Sequence, residues 1–261
     1  MRLFPRSLEA HYRQRKREGG MRIILPAIGL LVLSAGLLSA QEPAENRSDA
    51  LFRGPEVSEA GQLYGASATF VTGIGIVVLE PTISAEGNVE SVEVIRSTPG
   101  MPGMEAEAIQ GVKTWKFRPA VINGKPSRSR TTVVAVFNQC YNVPPAISLP
   151  PLAEHQGVED RQKNEDDVNL PDFSPALPTD VVIPEYPVMS VLTTTVVLRV
   201  ELESTGDIHS VSPLHEVAAF SPRAVAAVKK WKFSPATSAE QPAPSKVTVA
   251  IFFAPAHSAL D

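Results

Sequence analysis

A hexapeptide that occurs twice constrains this chain more than any other feature. Trp115-Lys116-Phe117-Arg118-Pro119-Ala120 and Trp231-Lys232-Phe233-Ser234-Pro235-Ala236 agree at five of six positions and hold both tryptophans of the sequence. The likeness extends in both directions. Ala108-Ile109 and Val112 keep the spacing to Trp115 that Ala224-Val225 and Val228 keep to Trp231. Upstream, Gly87-Asn88-Val89 with Val92 answers to Gly206-Asp207-Ile208 with Val211; downstream, Val133 to Phe137 answers to Val249 to Phe253. Shared order and spacing over about sixty residues argue for two copies of one unit. Two copies are too few for a solenoid, so the pattern predicts tandem small domains.

The local signals within each copy agree. In residues 64–140, Ile74 to Leu79 is a nearly continuous apolar run, Gly87-Asn88 is a turn, and Val89, Val92, Val94 and Ile95 belong to a second strand. A helix is expected from Met104 to Thr114, because Ala108, Ile109, Val112 and Trp115 fall on one helical face. Glu105 and Glu107 at its start and Lys113 at its end suit the helix dipole. A closing strand takes Thr131 to Phe137. In residues 183–255, Thr194 to Glu203 alternates as a strand and Ser204-Thr205-Gly206-Asp207 turns. Ser221 is placed to cap a helix with Pro222 at its first position, and Val247 to Phe253 closes the unit. The predicted fold is α+β: two tandem ββαβ units, each a three-stranded antiparallel sheet with one helix packed on a face.

In this reading Trp115, Phe117 and Pro119, with Trp231, Phe233 and Pro235, are structural core: the indole ends the helix, Phe re-enters the sheet, and Pro forbids helix continuation. Truncating either buried Trp to Ala is expected to cost about 3–5 kcal/mol. A unit of this size is marginally stable alone.

The flanking segments read differently. Residues 1–40 carry a basic leader and an apolar run, Ile23 to Leu38, ending in small residues. These are the parts of a secretory signal peptide; an uncleaved inner-membrane anchor is the competing reading. Met21 is a second candidate start. Either way the remainder is exported. Seven basic and two acidic residues precede Gln41, leaving 17 against 26, a net charge of −9. That acidic balance disfavours nucleic acid and anionic membrane as partners. Residues 41–63 read as a flexible lead-in, 141–182 as a Pro-rich charged linker, and 256–261 as a tail. Cys140 is alone, so no intramolecular disulfide frames the fold.

The ordered set of turn Gly, Val-rich second strand, Ala/Val helix, Trp-Lys-Phe-x-Pro-Ala and apolar closing strand resembles the TonB C-terminal domain. Pro184-Glu185-Tyr186-Pro187 is similar to the Pro-x-Tyr-Pro segment that leads into that domain; the first copy keeps Tyr64 there. The resemblance implies a periplasmic protein-interaction domain. TonB proteins span the periplasm and grip a segment of outer-membrane transporters, passing on work from an inner-membrane motor. It also implies strand addition at an open sheet edge. The residues it points to are Tyr186 and Pro187 with Val247, Val249, Ile251 and Phe253, and in the first unit Thr131, Val133 and Phe137. The chain departs from the transducer pattern in three ways: Ile23 to Leu38 has no His, no long Pro-Glu and Pro-Lys run follows it, and two units stand in place of one.

Other chemistry is poorly provided for. Gly73-Ile74-Gly75 lacks the third glycine and the following helix of a dinucleotide fingerprint. His209, His215 and Glu216 match no zinc spacing, and no Gly-x-Ser-x-Gly occurs. The expectation is therefore a binding protein without cofactor, metal or enzymatic activity. Its expected partners are envelope proteins, outer-membrane TonB-dependent transporters among them, and inner-membrane motor proteins if it is anchored. A periplasmic scaffold that uses the fold to form a homodimer is the alternative.

Overall fold

A computed structural model describes residues 52–63, 73–100, 102–139, 153–154, 173–187 and 189–255. The expected leader, signal or anchor, Tyr64, Cys140, the tail and most of the 141–182 segment lie outside the described residues. Mixed α and β structure is present, strands predominating. The first half supplies β1 (Gly73–Ile83), β2 (Val89–Ser97), α1 (Pro102–Lys113) and β3 (Thr132–Gln139). The second supplies β4 (Thr194–Leu202), β5 (Ile208–Pro213), α2 (Ser221–Val228) and β6 (Ser245–Phe253).

The six long strands form one sheet in the order β2-β1-β3-β6-β4-β5. Every pair is antiparallel except the central one, where β6 lies parallel to β3 in an unbroken register from Val247↔Thr132 to Phe253↔Asn138. Two like sheets joined through parallel closing strands are related by a half-turn about the strand direction, so their helices land on opposite faces. The cores follow that geometry. Met104, Ala108, Val112 and Trp115 pack with Val77, Leu79, Val133, Ala135 and Phe137 on one face, together with Ala250 and Phe252 from the second half. Ala224, Val228 and Trp231 pack with Val196, Leu198, Val249 and Ile251 on the other, together with Ile76, Val78, Val134 and Val136 from the first. Each closing strand is therefore buried on both sides, which accounts for its near-continuous apolar composition.

The expectation of separate domains joined by a linker is corrected here. The described residues belong to one compact unit, Glu42–Asp261. Parts of both expected flexible segments are ordered arms. In the first, Phe52–Arg53 pairs with Ala120–Ile122 and Glu56–Glu59 with Lys116–Arg118. In the second, Phe173–Ser174 pairs with Ala236–Ser238 and Pro178–Asp180 with Lys232–Phe233. Phe117 and Phe233 thus enter small arm ladders, not the main sheet as expected. The helices stop at Lys113 and Val228, before either hexapeptide, and the prolines lie beyond them.

Each hexapeptide is seated on its hairpin turn. Gly87 and Gly206 both have positive φ, and a Cβ on them would lie 1.9 Å from the Phe117 carbonyl oxygen and 2.7 Å from that of Phe233. Only glycine permits both the turn and the approach. The Phe117 N–H donates to the Gly87 carbonyl at 2.9 Å, which closes the contact. Ser221 does not cap α2. It is the first helical residue, and its hydroxyl accepts the Val217 N–H at 2.8 Å.

Candidate partner-binding interface

Strand addition requires a row of main-chain groups that nothing in the molecule already pairs. Val247, Val249, Ile251 and Phe253 lie on β6, which pairs with β4 on one side and β3 on the other. Val133 and Phe137 lie on β3, between β1 and β6, and Thr131 is buried just before that strand. The structure sets these two groups of residues, expected on separate units, against one another. The edges assigned to a partner strand at these positions are occupied from within the chain, because each closing strand serves as the other's added strand. Their side chains complete the cores: Val247, Val249, Ile251 and Phe253 face α2, Val133 and Phe137 face α1, and the Phe137 and Phe252 rings meet at 6.0 Å.

Tyr186 and Pro187 lie at the sheet end where β4 begins and β6 finishes. Tyr186 is half-buried against Phe220 (5.6 Å between ring centroids) and Phe253 (6.4 Å). Its hydroxyl donates to the Leu192 carbonyl at 3.0 Å. The chain just before β4 is closed further by Ser190 N–H to the Pro187 carbonyl and Leu192 N–H to Ser190 Oγ, and it holds Met189 and Val191 out in solvent.

The arms, which sequence reasoning missed, carry the cross-connections. The second arm crosses the first half: Thr132 Oγ1 donates to the Ala176 carbonyl at 2.8 Å and Asn138 Nδ2 to the Pro184 carbonyl at 2.7 Å, both from buried side chains on β3. The first arm crosses the second half: Arg199 donates to the Val57 carbonyl, and the Leu63 N–H donates to Thr195 Oγ1. Between these, Glu56 sits among Lys246 (2.8 Å), Arg199 (3.3 Å) and Arg118 (3.4 Å). Burial pushes the Glu56 carboxyl up, but the Lys246 hydrogen bond and the three cationic charges outweigh it and hold the group below the usual carboxylate range. Glu201 is lowered chiefly by the Ser210 hydroxyl, against some burial, with help from Lys246. A signal for the arms did exist: Phe52 and Val57 precede the first unit as Phe173 and Pro178 precede the second, each pair five residues apart.

The outer edges of the main sheet are β2 and β5. Against β2, Ala153–Glu154 from the expected linker adds antiparallel at Ser97 and Arg96. Among the described residues nothing pairs with the outer side of β5. No group of His, Cys, Asp and Glu among the described residues could hold a metal ion, and no described helix is long and apolar enough to cross a membrane.

Comparison with known proteins agrees with the fold in part. The family model for the Gram-negative bacterial TonB protein C-terminal matches residues 73–138, from the start of β1 almost to the end of β3. No curated protein and no solved structure matches the chain.

Proposed function

We propose that this is an exported cell-envelope protein that recognises other envelope proteins through main-chain strand pairing, built from two TonB-C-terminal-like ββαβ units locked together by their closing strands. The observation that carries this reading is the match of a TonB C-terminal model to β1 through β3, with the same order of strands, helix and Trp-Lys-Phe segment following in β4 through β6. Support of outer-membrane transport is what that family membership would bring, and no catalytic role or cofactor is proposed. The test is capture of the full chain by immobilised periplasm-facing segments of outer-membrane transporters. Saturable capture supports the reading, and its absence against all such segments removes the transport link.

The scaffold reading is favoured by a specific observation. The edge that the resemblance assigns to a partner is consumed between β3 and β6. A chain of this kind joins envelope components without drawing work from the inner membrane. Release of the soluble chain from cells by osmotic shock, with residues 1–40 removed, fits the scaffold; retention with the inner membrane fits a transducer.

A further inference from the structure

The edge of β5 differs from the other sheet margin in ways that bear on binding. β2 is guarded: Glu90, Glu93 and Arg96 put charge along it, its pairing with β1 shifts register at two places, and Ala153–Glu154 covers its end. Charged side chains, irregular register and a covering segment are the usual protections of an exposed edge. β5 reads Ile208-His209-Ser210-Val211-Ser212-Pro213, without Lys, Arg, Asp or Glu, and its pairing with β4 shifts only at Glu201/Leu202.

Its hydrogen bonding is in phase for acceptance of a strand. The Leu214 N–H donates to the Val197 carbonyl at 2.8 Å, and the register continues through Arg199↔Ser212 and Glu201↔Ser210. By the alternation of an antiparallel ladder, Ser212 and Ser210 turn their main-chain groups to β4, while Val211 turns its N–H and C=O outward. Pro213 limits the ladder at one end.

We infer that the outer edge of β5 is a docking site for an extended peptide of another protein, one that carries a basic residue towards each end. Three features select that occupant. The equivalent margin of the first half already takes an extended segment, antiparallel. Exposed Glu203 and Asp207 lie at the turn end of β5 and exposed Glu216 just beyond the other, so Lys or Arg flanking the partner strand meets opposite charge. A second copy paired antiparallel at the same edge would set Glu203 and Asp207 of one molecule towards Glu216 of the other, like against like. The inference rests on the strand-pairing part of the proposed function and names its site, independently of any role in transport.

The experiment selects short peptides from an unbiased displayed library on the full chain, then follows the Val211 amide by hydrogen exchange with and without a selected peptide. Selected peptides are expected to carry basic ends and to slow Val211 exchange. Val211→Pro, which removes the outward N–H and leaves the β4 ladder intact, should weaken their binding about tenfold or more, and Val211→Thr should not. Should Val211→Pro unfold the chain, Ser212→Lys keeps every N–H and repels a basic peptide. Selected peptides that protect other amides, or a library that yields no binder, overturn the inference. So does Val211 protection that grows with protein concentration in the absence of peptide, which assigns the edge to a second copy. Peptide binding at β5 alongside failed capture by transporter segments would sink the transport link and leave this site standing.

Discussion

The two tryptophans offer a comparison in which most terms cancel. Trp115 and Trp231 occupy matching places and are 1% and 3% exposed. Replacing either by Phe removes the same atoms from a comparable core, at a cost of about 1–2 kcal/mol each, below the range for truncation to Ala. The polar terms are opposite. Trp231 Nε1 donates to the Val182 carbonyl at 2.9 Å, whereas buried Trp115 Nε1 has no hydrogen-bond partner among the described residues. Trp231→Phe therefore loses a hydrogen bond with a net worth of about 1 kcal/mol, and Trp115→Phe relieves a buried unpaired donor worth about 1–3 kcal/mol. The second half should lose about 2 kcal/mol or more beyond the first. Each variant keeps one indole, on opposite faces of the sheet, so urea unfolding followed by Trp fluorescence reports stability from each side in turn. Trp231→Phe should shift the midpoint well below that of Trp115→Phe, with equal slopes. Equal midpoints, or a larger loss from Trp115→Phe, would refute the assignment of these polar terms.

Other perturbations test other joints. Gly87→Ala and Gly206→Ala each force a side chain into a positive-φ turn and against a backbone carbonyl, and should cost about 2–4 kcal/mol in thermal or urea unfolding, with Gly87→Ala the worse at 1.9 Å. Asn138→Ala leaves the Pro184 carbonyl without its buried donor and should cost about 1–3 kcal/mol, while raising protease sensitivity in residues 173–187 first. Glu56 has a depressed carboxyl pKa in the folded state, so its contribution is complete above the ordinary carboxylate range and is lost as pH falls through the lowered value. Glu56→Gln should lower stability at pH 7 by about 0.5–1 kcal/mol, because water screens the flanking cations, and converge with the parent chain in acid, as read from pH-dependent melting. An unchanged gap between the two at low pH would separate the effect from ionisation.

Sequence made the elements legible and left their assembly hidden, for identifiable reasons. Helical spacing of Ala108, Val112 and Trp115, and the glycine turns before Val89 and Ile208, are local signals, and the strands and helices appear where those signals place them. The join between β3 and β6 has no local signal, since no turn connects the two strands and their register is set by packing. Its trace was compositional. Val133 to Phe137 and Val249 to Phe253 are apolar at every position, more than a strand with one wet face requires. The arms were concealed by proline, which keeps a backbone extended whether it is solvated or laid along another strand. The side chains of Thr132 and Asn138 that hold the second arm are far from it in sequence. Tyr186 was legible as part of a site, but its hydroxyl turns out to close its own loop onto Leu192.

The parallel seam between β3 and β6 joins the two halves at the centre of the sheet. Isotope-edited NMR of the full chain measures it through nuclear Overhauser effects between main-chain protons of β3 and β6. A continuous series is expected in the parallel register of Val249 with Val134, Ala250 with Ala135 and Ile251 with Val136, among slowly exchanging amides. Contacts from β3 to β1 and from β6 to β4 alone, with rapid exchange along the other side of each strand, would contradict it.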